Sequence, residues 1–427
     1  MSIICISLSV VCLIIAYKGF KELCPAKIFM YFWSIQILVM TILGHDYLIF
    51  KYSGIFFIIC CLFFICLGAT LAGGNYIETT TVKRCGKVFW IDEKKIVKII
   101  LLLTIIGFID PVQAILSQGF SLTNLLNFSS LLEINNNLSL NRYEGDPKMT
   151  RNVISQITGV FSYLGPLLGG FILPFTSSKK HKLLCYFSLS PQLFGGLTQG
   201  AKMGIITAVF VFISGYLNSC FIINKKITIK WKSLLYGISF FLLFIGVLIL
   251  SMMFRIGCFD IDTFYIVIGK FISYALGHLP AFDIWFDRQP LLSTDLTYGG
   301  KFFMGITNYL GIVERKSGIY DEFVDISLYG DQTNVYTIFR ILIEDFGIIG
   351  TLIFFLLLGY FAQRMYINVR TLRRYKSSLT FIVAFYFLTS WSFVTSVFVY
   401  TSYIVMFFLF YYIINKYSKI IYKNECH

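Results

Sequence analysis

Charge is what this chain is shortest of. Asp, Glu, Lys and Arg make up 14% of its 427 residues, against about 25% in a water-soluble domain, so polar groups cannot cover its surface in water. Short alternating apolar and polar strands between turns are also missing, which argues against a transmembrane β-barrel. No Walker loop and no G-x-G-x-x-G run is present, so neither ATP drive nor a nucleotide cofactor is indicated, and there is no G-x-S-x-G nucleophile elbow. The 11 Cys and 4 His show no zinc-ligand spacing, and no metal is expected. Most of the cysteines (Cys5, Cys12, Cys60, Cys61, Cys66, Cys185, Cys220) fall in apolar runs, where Cys behaves as a small apolar residue. Cys258 alone sits near an outward loop, without a disulfide partner. No repeat, low-complexity tract or soluble domain interrupts the chain.

What the sequence has instead is apolar length. It is 57% hydrophobic and 18% aromatic, with mean hydropathy +0.76. Runs near twenty apolar residues recur, each long enough to cross about 30 Å of hydrocarbon as a helix, the form that satisfies every backbone amide internally. The expected spans are Ser2–Tyr17, Ile28–Ile49, Ser53–Gly74, Ile96–Leu116, Val153–Phe175, Leu183–Thr198, Met203–Ile223, Leu234–Phe254, Phe346–Tyr366, Leu379–Ser396 and Phe398–Asn415. The first lacks a basic leader and a small-residue cleavage site and is read as retained. The expectation is thus an all-α polytopic integral membrane protein of about eleven transmembrane helices in a single membrane domain, 1–427.

The net charge of +14 follows the topology. Segments 18–27, 75–98, 176–182, 224–232, 364–376 and 416–427 carry 24 Lys and Arg against 5 Asp and Glu, while the rest carries 12 against 17. By the positive-inside rule these segments are cytoplasmic, so the basic bias is not a nucleic-acid footprint. The N-terminus then lies outside and the C-terminus inside, which needs an odd number of spans. Two long loops, 117–152 and 255–345, face outward. The second contains Thr263–Phe282, apolar but broken by Gly269, Lys270, Gly277, His278 and Pro280, and is read as a helix lying in or re-entering the outer membrane face. Long loops in compact proteins are usually functional, so the chemistry is expected outside the cytoplasm.

Ionisable residues at membrane depth are costly and mark candidate sites. Arg142 and Arg151 flank 141–150 before the fifth span; Lys202 lies between the sixth and seventh, Arg255 ends the eighth, and Arg288 is mid-loop. Arg340, Glu344 and Asp345 stand at the entry to the ninth. If several cations converge they suit a concentrated anion such as a diphosphate. Each also has a structural reading. Lys and Arg at helix ends snorkel to the interface, Glu344 and Asp345 complement a helix N-terminus, Arg340 and Glu344 form an i,i+4 pair, and His278 beside Pro280 reads as a packed interfacial histidine. Trp285 and Tyr298 could stack on sugar rings, although nothing in the sequence selects them.

The run from Thr333 through Asn334, Val335, Tyr336, Thr337, Ile338 and Phe339 to Arg340, followed by Glu344-Asp345-Phe346-Gly347 and Gly350, resembles the oligosaccharide repeat-unit polymerases of the Wzy type. Leu140-Asn141-Arg142-Tyr143, Thr198-Gln199-Gly200-Ala201-Lys202 and the stretch Tyr265 to Asp283 resemble that family more weakly, and Lys202 stands where Arg is common. The resemblance implies a GT-C-like fold and a metal-independent glycosyltransferase. Such an enzyme polymerises undecaprenyl-diphosphate-linked oligosaccharide units into O-antigen or capsular polysaccharide, at the outer face of the bacterial inner membrane. Its partners are membrane lipid and a chain-length regulator protein, and no cofactor is needed. Arg142, Arg151, Lys202, Arg255, Arg288 and Arg340 are then the diphosphate-binding candidates. A sugar hydroxyl is a poor nucleophile until a base takes its proton. Asp345 and Glu344 are the candidates for that base, Asp345 favoured because it abuts the Phe-Gly step, with His278 in reserve. An O-antigen ligase shares the fold and differs in acceptor. A lipid-linked oligosaccharide flippase should show two similar halves, and a membrane O-acyltransferase an embedded His.

Overall fold

The computed structural model describes residues 1–20, 23–73, 86–127, 129–130, 133–138, 153–199, 202–225, 260–289, 295–314 and 320–422, with scattered positions between 235 and 256. Among these residues six helices are long and apolar enough to cross a membrane: Ser2–Gly19, Pro25–Leu43, Ser53–Leu71, Glu93–Ser117, Met203–Ile222 and Ile338–Thr371. A seventh is reached if Ile261–Ser273 and His278–Asp287, which meet at a 55° bend, count as one span. The chain is therefore a mainly helical, multi-pass membrane protein.

Several expected spans are built differently from a single rod. Leu183–Thr198 is two helices, Lys179–Phe187 and Ser190–Gln199. The interrupted stretch 263–282 does bend, at Gly277. The span expected from Phe346 begins eight residues earlier, at Ile338, and its helix is broken at Gly347 (φ 72, ψ 178). That backbone state is open to glycine and strained for other residues. Most of the span expected at 234–254 lies outside the described residues.

The chain divides into two compact units, each discontinuous in sequence: Met1–Val88 with Lys270–Ile404 and Ile420–His427, and Phe89–Gly269 with Val405–Lys419. In the second unit the Lys202–Ile222 and Glu93–Gly107 helices pack on Val153–Ile172. Ile115, Ile134 and Leu138 form a small buried cluster there.

The first unit is centred on the Ser53–Leu71 and Ile338–Thr371 helices, which cross closely. A methyl on Gly68 would overlap the Leu356 carbonyl, and one on Gly359 that of Ile65. Small residues let backbones approach in this way where lipid gives no hydrophobic drive to associate. Ile349, Ile353, Leu357 and Phe361, each four residues on from the last, are exposed and form the apolar outer stripe of the long helix. Its inner face is aromatic: Phe355 meets Phe29 at 5.5 Å. Phe339 meets Trp33 at 4.8 Å, and the Trp33 indole donates to Ser392 Oγ at 3.1 Å.

Two further joints place the segments that flank these helices. The Asp283 carboxylate accepts the backbone N–H groups of Lys51 (2.7 Å), Tyr52 (2.6 Å) and Gly54 (2.8 Å). It thereby caps the start of the 53–71 helix and ties the His278–Asp287 helix to it, a carboxylate at a helix N-terminus being favourable. The two-residue strands Val324–Asp325 and Gln332–Thr333 pair antiparallel. This hairpin is held to the 44–52 loop by Ile49 N–H to Ile326 O (2.9 Å), Leu328 N–H to Tyr47 O (3.1 Å) and the stacked rings of Tyr47 and Tyr329.

Candidate functional site

The break at Gly347 leaves the last carbonyls of the preceding helical segment without intrahelical donors. The segment 297–302 supplies them: Tyr298 N–H donates to Asp345 O at 2.9 Å and Thr297 N–H to Glu344 O at 3.3 Å. Asp345 holds the same segment with its side chain, accepting from Phe302 N–H (2.7 Å), Lys301 N–H (3.0 Å) and the Thr297 hydroxyl. It is fully buried. Asp345, favoured from sequence as the base, is thus occupied as the anchor of a turn, both oxygens already taken by fixed donors.

That anchor presents the next residue. Lys301 Nζ reaches Glu344 Oε2 at 2.9 Å, and the Tyr320 hydroxyl donates to the same oxygen at 2.8 Å. Glu344 Oε1 accepts from Arg340 Nε at 3.0 Å. Arg340, with a side chain only 7% exposed, donates through Nη2 to Glu322 Oε2 at 2.9 Å. Its Nη1 is buried and meets no acceptor among the described residues. The guanidinium lies over three rings: Tyr320 at 3.8 Å, Tyr336 at 4.0 Å and Trp285 at 4.8 Å. Stacking on a desolvated ring contributes about 2 kcal/mol and fixes the plane. Here it leaves one edge of the group turned to its acceptors.

The Thr333–Arg340 run explains itself in these contacts. Asn334 Nδ2 donates to Tyr320 O at 3.0 Å, and the Tyr336 hydroxyl to Glu322 O at 3.2 Å, so the run fastens 320–322 across the guanidinium. Burial, and after it the Glu344 carboxylate, push the Tyr320 hydroxyl well above its ordinary value, so it stays a donor. Burial also raises Tyr336, an effect that Arg340 and the more distant Arg288 oppose.

Together these groups line a cavity of about 480 Å³ bounded by Lys301, Met304, Val313, Glu314, Tyr320, Asp321, Glu322, Arg340 and Glu344. Two cations therefore face four carboxylates, and both cations are paired with them. Of the diphosphate-binding candidates read from sequence, Arg340 lines this cavity and, among the described residues, is the only one that does. Arg288 is exposed and within electrostatic reach. His278 is elsewhere: it is buried, its Nε2 lies 2.7 Å from Gln36 Oε1, and its ring stands against Trp33 and Phe393. It does not line the cavity. Arg142, Arg151 and Arg255 lie outside the described residues, as does the side chain of Lys202 at the start of its helix.

Lys301, Tyr320 and Glu322 were not found by sequence reasoning. Lys301 is 43 residues from Glu344 and Glu322 18 from Arg340, so no local spacing announces either. Trp285, a candidate for sugar stacking, is used under Arg340 instead. The chain matches no family model, no curated protein and no solved structure.

Proposed function

We propose that the protein is a membrane glycosyltransferase that polymerises polyprenyl-diphosphate-linked oligosaccharide units at the outer face of the bacterial inner membrane. Its expected frame is GT-C-like, of about eleven spans, with the N-terminus periplasmic and the C-terminus cytoplasmic. The observation that carries the reading is the buried Arg340, whose Nη1 meets no acceptor among the described residues, set beside Lys301 and a carboxylate in one cavity. A guanidinium held flat can take two phosphoryl oxygens at once, and Lys301 adds a mobile point charge.

In this mechanism the diphosphate of the donor draws Arg340 and Lys301 toward itself and so loosens both from Glu344. Hydrogen bonds to the charged form of a carboxylate lower its basicity, so losing them makes Glu344 a better base when substrate is in place. Glu344 takes the proton of the acceptor hydroxyl as the acceptor oxygen bonds to the anomeric carbon. The bond from that carbon to the diphosphate oxygen breaks, and the diphosphate leaves with the electron pair, stabilised by the cations.

Two measurements test this. A deletion strain should carry a single repeat unit on its surface lipid; no attached repeat at all would indicate a ligase or flippase instead. With purified enzyme and synthetic lipid-linked units, Glu344→Gln should lose at least about a hundredfold in turnover, the lower end for a general base. Wild-type turnover in Glu344→Gln would refute the assignment of the base.

A further inference from the structure

The two carboxylates on Arg340 are held very differently. Glu344 belongs to the same helix, is 16% exposed, and has two further donors in Lys301 and Tyr320. Glu322 lies on the loop with a side chain 54% exposed, and its carboxylate meets only Arg340 among the described residues. Its backbone is fixed independently, since the Tyr336 hydroxyl donates to Glu322 O. The Glu322 side chain can therefore swing away from the guanidinium while its backbone stays in place. A pair with one partner more than half exposed is weak, about 0.2–1 kcal/mol.

Resting on the reading above, we propose that Glu322 is a displaceable latch. Its carboxylate occupies, on Nη2 of Arg340, the place that a phosphoryl oxygen takes when a diphosphate enters the cavity. Glu322 satisfies one of the two Nη groups, and Nη1 meets no acceptor among the described residues. A diphosphate offers oxygens to both, so the exchange gains a second charge-assisted bond. A lone carboxylate of substrate would gain less, because it brings less negative charge to Arg340 and Lys301. The latch thus selects for phosphoryl groups and keeps the buried cation neutralised while the cavity is empty.

The test is titration calorimetry of the purified full chain with inorganic diphosphate, in phospholipid-free detergent and in phosphatidylglycerol nanodiscs. Glu322→Gln keeps the size and exposure of the side chain and removes the competing charge, so it should tighten diphosphate binding up to about fivefold. Arg340→Gln should abolish binding in both the wild-type and Glu322→Gln backgrounds. In turnover assays, Glu322→Gln should lower KM for the lipid-linked donor. Equal affinity in wild type and Glu322→Gln, with turnover still dependent on Arg340, would overturn the latch and leave the glycosyltransferase reading standing. Absence of diphosphate binding in wild type and Glu322→Gln alike would overturn both. Tighter binding in detergent that vanishes in the nanodiscs would show the phospholipid headgroup as the anion that displaces Glu322, and would overturn selection for the diphosphate substrate.

Discussion

Replacing Asp345 by Asn distinguishes an anchor from a base, because the two roles put the damage in different observables. In the structure Oδ2 accepts from Phe302 N–H, while Oδ1 accepts from Lys301 N–H and the Thr297 hydroxyl. Asn offers one oxygen and one NH2 group. If the oxygen keeps the Lys301 side, the NH2 faces the Phe302 N–H and two donors meet with no acceptor. Losing a charge-assisted hydrogen bond removes about 1.5–3 kcal/mol, and the orphaned buried N–H costs about 1–3 kcal/mol more. The total of about 2.5–6 kcal/mol is a large fraction of a protein's net stability. Asp345→Asn should therefore lower the thermal unfolding midpoint of the detergent-purified protein. Because the 297–302 segment carries Lys301, it should also weaken donor binding. Thr297→Val should show a smaller loss of the same kind, and the two substitutions should be non-additive, since they share one hydrogen bond. An Asp345→Asn protein with a wild-type midpoint and no turnover would refute the anchoring and restore Asp345 as the proton acceptor.

Arg340→Lys should fold yet lose most turnover, because an ammonium cannot keep the flat stack on Tyr320 and Tyr336 and two acceptors together; in vitro polymerisation at equal protein content reads it. The raised value of Tyr320 means that the folded state holds this proton more tightly than the unfolded one. That stability is fully present below the ordinary phenol range near pH 10 and is lost as pH rises toward the higher folded value, so Tyr320→Phe should flatten the alkaline limb of an unfolding-midpoint profile. Reporter fusions should behave as cytoplasmic after Lys376 and periplasmic near Gly318; a periplasmic signal at Lys376 would refute the eleven-span orientation.

The sequence made the membrane class legible because hydropathy and loop charge are local sums, indifferent to how the helices later pack. It also made Arg340, Glu344 and Asp345 legible, since they lie on consecutive turns at a helix entry. Their roles were not, and the reason is the same glycine. Gly347 was visible as a residue but not as a left-handed break, and without the break the carbonyls of Glu344 and Asp345 would not be free to hold segment 297–302. On this helical segment Asp345 lies about 140° from Arg340, so its carboxylate meets the 297–302 segment while Arg340 and Glu344 line the cavity. The break at Gly347 adds the freed carbonyls of Glu344 and Asp345 to the same hold. The bend at 277 was readable because Gly277 and Pro280 punctuate an otherwise apolar run. The Asp283 cap on the 53–71 helix was not, because its four N–H partners come from residues more than two hundred positions away.

Four carboxylates around two cations look wrong for an anion site only if the site is imagined full. An arginine stored in a low-dielectric cavity must be neutralised while it waits, since an unpaired buried charge costs several kcal/mol. Water cannot do this well where the guanidinium is covered by three aromatic rings. Resting carboxylates can, and they differ usefully in how firmly they hold. Glu344 has three donors, whereas Glu322 has one among the described residues and an exposed side chain; under the proposal Glu344 stays when substrate arrives and Glu322 leaves. In the proposed mechanism a single entering diphosphate fills the cation and frees the acid that accepts a proton. Anion binding and base activation become one event, and a substrate lacking the diphosphate would find the cations still closed and the base still weak.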